Sequence, residues 1–203
     1  MTTRRARRAV EIRRDEILAT TVELVDRIGL ANTRVADVAD AMGVSPSLVF
    51  YHFGTKDDLV AETFAYAVEK DLERLAKAAS GSEDPVDRLR RMLRFYGPTG
   101  PALGWRLWID AWALAQREPH IRTVLRRMDK RWQAMLREVV DDGVASGAFT
   151  CPDPEGAVGR LSALVDGLSV ATVVHRTVTR KQLRAWVAQQ VATELGVDVA
   201  TLV

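Results

Sequence analysis

The chain has 203 residues, 47% of them hydrophobic, enough for one domain or for a small domain joined to a larger one with a packed core. Its formal net charge is only +2 and it has a single cysteine, Cys151, so it is neither a uniform polycation nor a disulfide scaffold, and it fits a reducing cytoplasm. No unbroken run of 18 apolar residues occurs and the basic start lacks an apolar signal-type stretch, so neither a membrane span nor export is expected.

Charge is local. Arg4, Arg5, Arg7, Arg8, Arg13 and Arg14 stand against Glu11 in residues 1–14. Such an arm suits phosphates or a minor groove, and a solvated tail would look the same. A first helix is predicted from about Ala9 to Ile28, with Ile17, Leu18, Thr21, Leu24, Val25 and Ile28 as its buried stripe and Gly29 as its end.

The stretch that follows is the most informative. Val35, Val38, Ala39 and Met42 lie on one face of a short helix, with Thr33 placed to cap its start and Gly43 to end it in a left-handed turn. Ser45 then has the features of an N-cap and Pro46 those of the first helical position, opening a second short helix to about Tyr51. Its front is small (Ser45, Pro46, Ser47) and its rear apolar (Leu48, Val49, Phe53). Such a unit is either an ordinary helical hairpin or a helix-turn-helix, whose second helix enters the DNA major groove. The candidate DNA-binding residues are Thr33, Arg34, Ser45, Pro46, Ser47, Leu48, Tyr51, His52 and Lys56. Ser45, Ser47 and Tyr51 would face the DNA, with Thr33, His52 and Lys56 on phosphates.

Thr55 can cap a longer helix from Lys56 to about Ala79, with Asp57 and Asp58 suiting its dipole. That helix reads as a mechanical link, and SGSEDP (80–85) closes it. Further helices are predicted from Pro85 to Tyr96, Ala102 to Arg117, Pro119 to about Asp142, Glu155 to about Arg176, and Arg180 to about Leu195. GPTGP (97–101) and DGVASGAFTCPDP (142–154) separate them. No strand-period run occurs, so the fold class is all-α.

Trp105, Trp108 and Trp112 share a face that Gln116 continues; with Tyr96 they are candidates to line a small-molecule pocket, although core packing accounts for such a stripe equally well. The helix at 155–176 is apolar nearly all round and must be covered on two sides, by its own domain and either by more core or by a second copy of the chain. Leu161, Leu164, Val165, Leu168, Leu183, Trp186 and Val187 are the candidate dimer interface. Asp166, inside that apolar run, requires a partner or water.

Arg14–Ile17, Gly29, DVADAMGVS (37–45), YHF (51–53) and KDDL (56–59) occur in the order and spacing of the TetR family of bacterial transcriptional repressors. The chain resembles that family over roughly residues 10–65, and beyond it is loosely similar to the betaine-regulator-like subgroup. The resemblance implies a three-helix DNA-binding domain at 1–56 and a helical ligand-binding and dimerisation domain at 57–203. It also implies a homodimeric repressor on a near-palindromic double-stranded operator, released by a small-molecule effector. Two positions depart from the pattern: Arg34 stands where a hydroxyl residue is usual, and Phe50 where tyrosine is usual.

Catalysis is not expected. His52, His120 and His175 stand in no metal-ligand spacing, and there is no phosphate-binding glycine loop or nucleophile motif, so no metal or cofactor is expected. An all-α small-molecule-binding protein without specific DNA reading is the alternative, and an enzyme a third reading. A footprint would separate the first two, and turnover of a bound ligand would identify the third.

Overall fold

The structure is a computed structural model and describes residues 2–95 and 103–202, with side chains from Arg13 to Phe95 and from Gly104 to Leu202. Tyr96 and the GPTGP break lie outside the described residues, as do the side chains of Arg4, Arg5, Arg7 and Arg8. Every regular element among the described residues is helical. The long helices are α1 (Thr2–Ile28), α2 (Val35–Met42), α3 (Pro46–Phe53), α4 (Lys56–Ala79), α5 (Pro85–Phe95), α6 (Leu103–Ala115), α7 (Pro119–Ala145), α8 (Pro154–Val170) and α9 (Arg180–Leu195).

Three boundaries differ from expectation. α1 starts at Thr2 rather than near Ala9, because arginine and alanine are strong helix formers and propagate the helix through the basic stretch. α7 runs on to Ala145 and stops before Gly147, whose φ of 76° breaks it. α8 ends at Val170, where the expected continuation widens into a π-helical turn, Ala171–His175, closed by Arg176 at φ 55°.

The chain forms two compact units, Met1–Lys70 with Arg106–Met128, and Asp71–Trp105 with Asp129–Val203. In the first, Ile17, Leu18 and Leu24 of α1 pack with Val35, Val38 and Ala39 of α2, Val49 and Phe53 of α3 and Leu59 of α4. Ile28, expected in the α1 stripe, is exposed at the last position before the turn. Leu107, Ala111 and Ala115 form the buried face of α6, and Trp108 of that helix meets Phe64 of α4 edge-to-face at 5.0 Å between ring centroids.

In the second unit, Leu75, Leu89, Met92, Leu136, Val139 and Val140 pack with Val158, Leu161 and Val165 of α8 and Leu183, Val187, Val191 and Leu195 of α9. Arg160 of α8 holds both carboxylate oxygens of Glu194 on α9 (2.9 and 2.7 Å), and Asp153 caps α8 by accepting from the Gly156 N–H. Thr179 and Gln182 form a reciprocal capping box at the start of α9. Pro154–His175 is long and apolar enough to cross a membrane by length and composition, yet only 33% of that stretch is buried inside the chain. Its other face requires a cover of some kind.

Candidate nucleic-acid interface

The α2–α3 unit is built around one turn. Gly43 sits at φ 64°, ψ 35°, a conformation that costs a side-chain-bearing residue a Cβ clash, and there the chain reverses between α2 and α3. The Val44 N–H donates to Ala39 O at 2.9 Å and the Gly43 N–H to Asp40 O at 3.1 Å, which ties off the end of α2. Ser45 occupies the N-cap position of α3 and Pro46 its first turn, as expected, but no side-chain cap bond forms, so the Ser45 hydroxyl remains available to a ligand. Val49 and Phe53 face the core, whereas Pro46, Ser47, Phe50 and Tyr51 of the same eight-residue helix are exposed.

Around this face the structure sorts the other candidates. Arg34 is exposed and extended at the N-cap of α2. Lys56 is exposed and donates one proton to Ala31 O at 3.3 Å, which holds its ammonium beside the α1–α2 loop. Leu48 is half-buried. Thr33 is fully buried, and its hydroxyl donates to Gly29 O at 3.0 Å instead of capping α2. Its donor is therefore engaged inside the loop. His52 is half-buried, and its pKa is lowered, first by burial and then by Arg14 and Arg13. It is a neutral imidazole at pH 7, able to offer one N–H and no charge.

Two residues that sequence reasoning did not assign hold this face in place. Arg14 of α1 donates to the His52 carbonyl near the end of α3, pairs with Glu62 of α4, and lies 4.4 Å from the centre of the Phe53 ring. Its place in the TetR-like pattern was visible, but its partners are 38 and 48 residues away, and no local periodicity reveals them. Asp110 of α6 accepts from the Leu30 N–H at 2.9 Å, just after Gly29 at φ 82°. Leu30 is fully buried, so its N–H has no solvent alternative. Asp110→Ala is expected to lower stability by about 1–3 kcal/mol, the cost of a buried donor left unsatisfied, whereas Asp110→Asn should retain most of it. Thermal melts of the two variants check this, and equal melting temperatures for wild type and Asp110→Ala would refute it.

The structure describes four of the five pocket candidates. Trp105 packs against the core of the second unit, Trp108 and Trp112 lie in the first with rings 6.1 Å apart, Gln116 is exposed, and Tyr96 is outside the described residues. The second unit instead carries a pair of acids. Asp166 of α8 has its pKa pushed up to about 6, first by burial and then by the charge of Asp129 on α7. Asp129 is raised by burial and partly relieved by the Gln133 amide, which donates to it at 3.1 Å. No hydrogen bond or ion pair reaches Asp166 among the described residues, so the partner that its position demands is not another side chain there.

Of the seven interface candidates, Leu161, Val165, Leu183 and Val187 are core residues of the second unit. Period alone cannot say which stripe of a helix apolar all round faces inward. Leu164 and Leu168 are partly exposed and Trp186 is 48% exposed, and Gly159, Ala163 and Gly167 make the most open side of α8.

Comparison with known proteins agrees with this layout. Residues 17–63 match the family described as bacterial regulatory proteins, tetR family, and residues 85–196 match the family described as BetI-type transcriptional repressor, C-terminal. An HTH-type transcriptional regulator BetI from Burkholderia mallei is 30% identical over 164 residues, covering 78% of this chain and 80% of the relative. A transcriptional regulator from Saccharomonospora viridis, solved in complex with choline, superposes with a TM-score of 0.81 at 26% identity over 91% of this chain and 98% of the other. A TetR-family regulator from a Rhodococcus species superposes with a TM-score of 0.76 at 25% identity, covering 90% and 98%.

Proposed function

We propose, for a chain that belongs to the TetR family of bacterial regulatory proteins and is a ligand-responsive DNA-binding repressor, that it acts in the cytoplasm as a homodimer on a near-palindromic operator. Residues 1–56 form the reading head in this account, and residues 57–203 serve effector binding and dimerisation. Enzymatic turnover has no part in it. Two α3 helices enter successive major grooves with Ser45, Pro46, Ser47 and Tyr51 toward the bases, while Arg34, His52 and Lys56 hold phosphates. The observation that carries the reading is the exposed front of α3 beyond the Gly43 turn, with exposed cations at Arg34 and Lys56 on its flanks.

Lys56→Ala tests the division of roles. It should weaken binding to cognate and random DNA alike and reduce the salt slope by about one phosphate unit, whereas Ser47→Ala should act mainly on the cognate site. A salt slope unchanged by Lys56→Ala would remove Lys56 from the phosphate contacts.

The effector in this account is a small organic cation of the quaternary ammonium type, by likeness to the choline-bound neighbour. Asp166 and Asp129 supply the negative charge, and Trp105 and Trp132, both packed against the same core, supply aromatic faces. Release from DNA is then a population shift, which requires the cation to bind the off-DNA conformation more tightly. Choline should raise the melting temperature of the wild type and raise it less in Asp166→Asn; no shift in either protein would dismiss this effector class.

The same pair predicts a pH dependence without ligand. Folding raises the pKa of Asp166 from 3.8 to about 6, so the native state binds this proton more tightly than the unfolded chain does. The stabilisation is fully present below about pH 4 and is lost as pH rises to about 6, on the order of 2–3 kcal/mol in all. Asp166→Asn should flatten the stability profile across that window and be the more stable protein at pH 7.5. Chemical denaturation at pH 4.5 and 7.5 measures it, and parallel profiles would refute it.

A further inference from the structure

The reading helix lacks the residues that most proteins use to read bases. α3 has the sequence PSLVFYHF, with no arginine, lysine, asparagine, glutamine, aspartate or glutamate. The strong bidentate pairings, to guanine from arginine or lysine and to adenine from asparagine or glutamine, are therefore unavailable to it. His52 is half-buried at its far end and neutral. What α3 does present is a short face made of Pro46, Ser47, Phe50 and Tyr51, at i, i+1, i+4 and i+5.

Phe50 is the unexpected member of that face. Its ring is 46% exposed, and the core of this unit is filled by Val49 and Phe53 without it. It stands one turn after Pro46 and Ser47, on the side the helix turns toward DNA in the account above. A phenylalanine there has no proton to give to a phosphate or to a base edge. The one feature of the major groove that an apolar ring recognises is the C5-methyl group of thymine.

We propose that Phe50 is a specificity-determining residue that reads a thymine methyl in each half-site, so that the operator is selected by methyl contact and by the Ser45, Ser47 and Tyr51 hydroxyls instead of by charged side chains. This inference rests on the assignment of α3 as the reading helix. It goes beyond that assignment by naming the base and the atom that are read.

The test starts from a random duplex library. The wild-type protein selects its preferred sequence, and duplexes of that sequence are then made with single thymines replaced by deoxyuridine, which removes only the methyl. Burial of one methyl group is worth a factor of roughly four in affinity, so wild type should lose about fourfold at one thymine of each half-site. Phe50→Ala, which removes the contact from both half-sites, should bind the unmodified duplex about as weakly as wild type binds the duplex with both of those thymines replaced, a loss of roughly sixteenfold, with no further loss on either substitution. Phe50→Leu, still apolar, should keep part of the methyl sensitivity. Circular dichroism melts of both variants verify the fold, which an exposed position should not disturb. A selected sequence with no uridine-sensitive thymine, or a penalty that survives unchanged in Phe50→Ala, would overturn the proposal and leave the DNA-reading assignment standing. Failure to select any sequence would overturn both.

Discussion

Trp186→Glu is expected to sediment as a folded monomer and to lose operator affinity by more than about a hundredfold while keeping most of its weaker affinity for random DNA. Trp186 is 48% exposed on α9, and the open side of α8 is formed by Gly159, Ala163 and Gly167, where a Cβ added to either glycine would meet nothing within 4 Å. In the proposed homodimer, pairing through α8 and α9 would bury this large aromatic side chain. A glutamate at its centre becomes an unpartnered buried charge, costing several kcal/mol in the dimer and nothing in the monomer. Leu168 is a poorer test, because it also packs against the core of its own unit, so a charge there strains the monomer as well. A dimer that persists in Trp186→Glu would place the interface elsewhere. A monomer that still binds the operator tightly would remove the two-half-site account, in which each head alone binds weakly.

The second large effect is expected at Arg14. One guanidinium joins three elements there: it donates to a carbonyl of α3, pairs with Glu62 of α4 and lies over Phe53. The hydrogen bond from a charged donor contributes about 1.5–3 kcal/mol and the cation–π contact about 0.5–1. The ion pair adds little, because both side chains are about a third exposed. Arg14→Ala should therefore destabilise the first unit by roughly 2–4 kcal/mol and reduce operator binding through loss of the α3 position. Arg14→Lys should recover little, since an ammonium cannot reproduce the planar fork. Urea unfolding followed by the loss of helical signal measures the effect. Full recovery by lysine would mean that charge alone, and not the two-sided geometry, is what Arg14 supplies.

Local chemistry was enough to read the helices and their order. Alternation at three and four residues, Pro46 at a helix start, Gly43 at a left-handed turn and Thr55 as a cap are instructions within a few residues of where they act, and Thr55 does receive the Asp58 N–H at 3.0 Å. The all-α class, the pair of short helices about Gly43 and the apolar excess of α8 followed from such short-range rules. Where a helix stops was harder to read: the arginine-rich start extended α1, and nothing in ATVVH announces a π-helical turn.

Tertiary structure alone decided which polar groups meet and which apolar stripe faces inward. Arg14 finds His52 and Glu62, and Asp110 finds Leu30 at a separation of 80 residues, because folding brings helix faces together that share no sequence period. Thr33 had the composition of a cap and became a buried loop residue, its hydroxyl donating to the Gly29 carbonyl four residues back while Arg34 takes the N-cap position of α2. α8 was legible as apolar on two sides, yet only packing against α9 could assign Leu161 and Val165 to the core and leave Gly159, Ala163 and Gly167 outside. Asp166 turned out to lie within reach of the charge of a second acid on α7, with no hydrogen-bond or ion-pair partner among the described residues. That fact is invisible in sequence, because charge–charge proximity between helices is a property of their packing, and packing energies depend on neighbours the chain brings together only once it is folded.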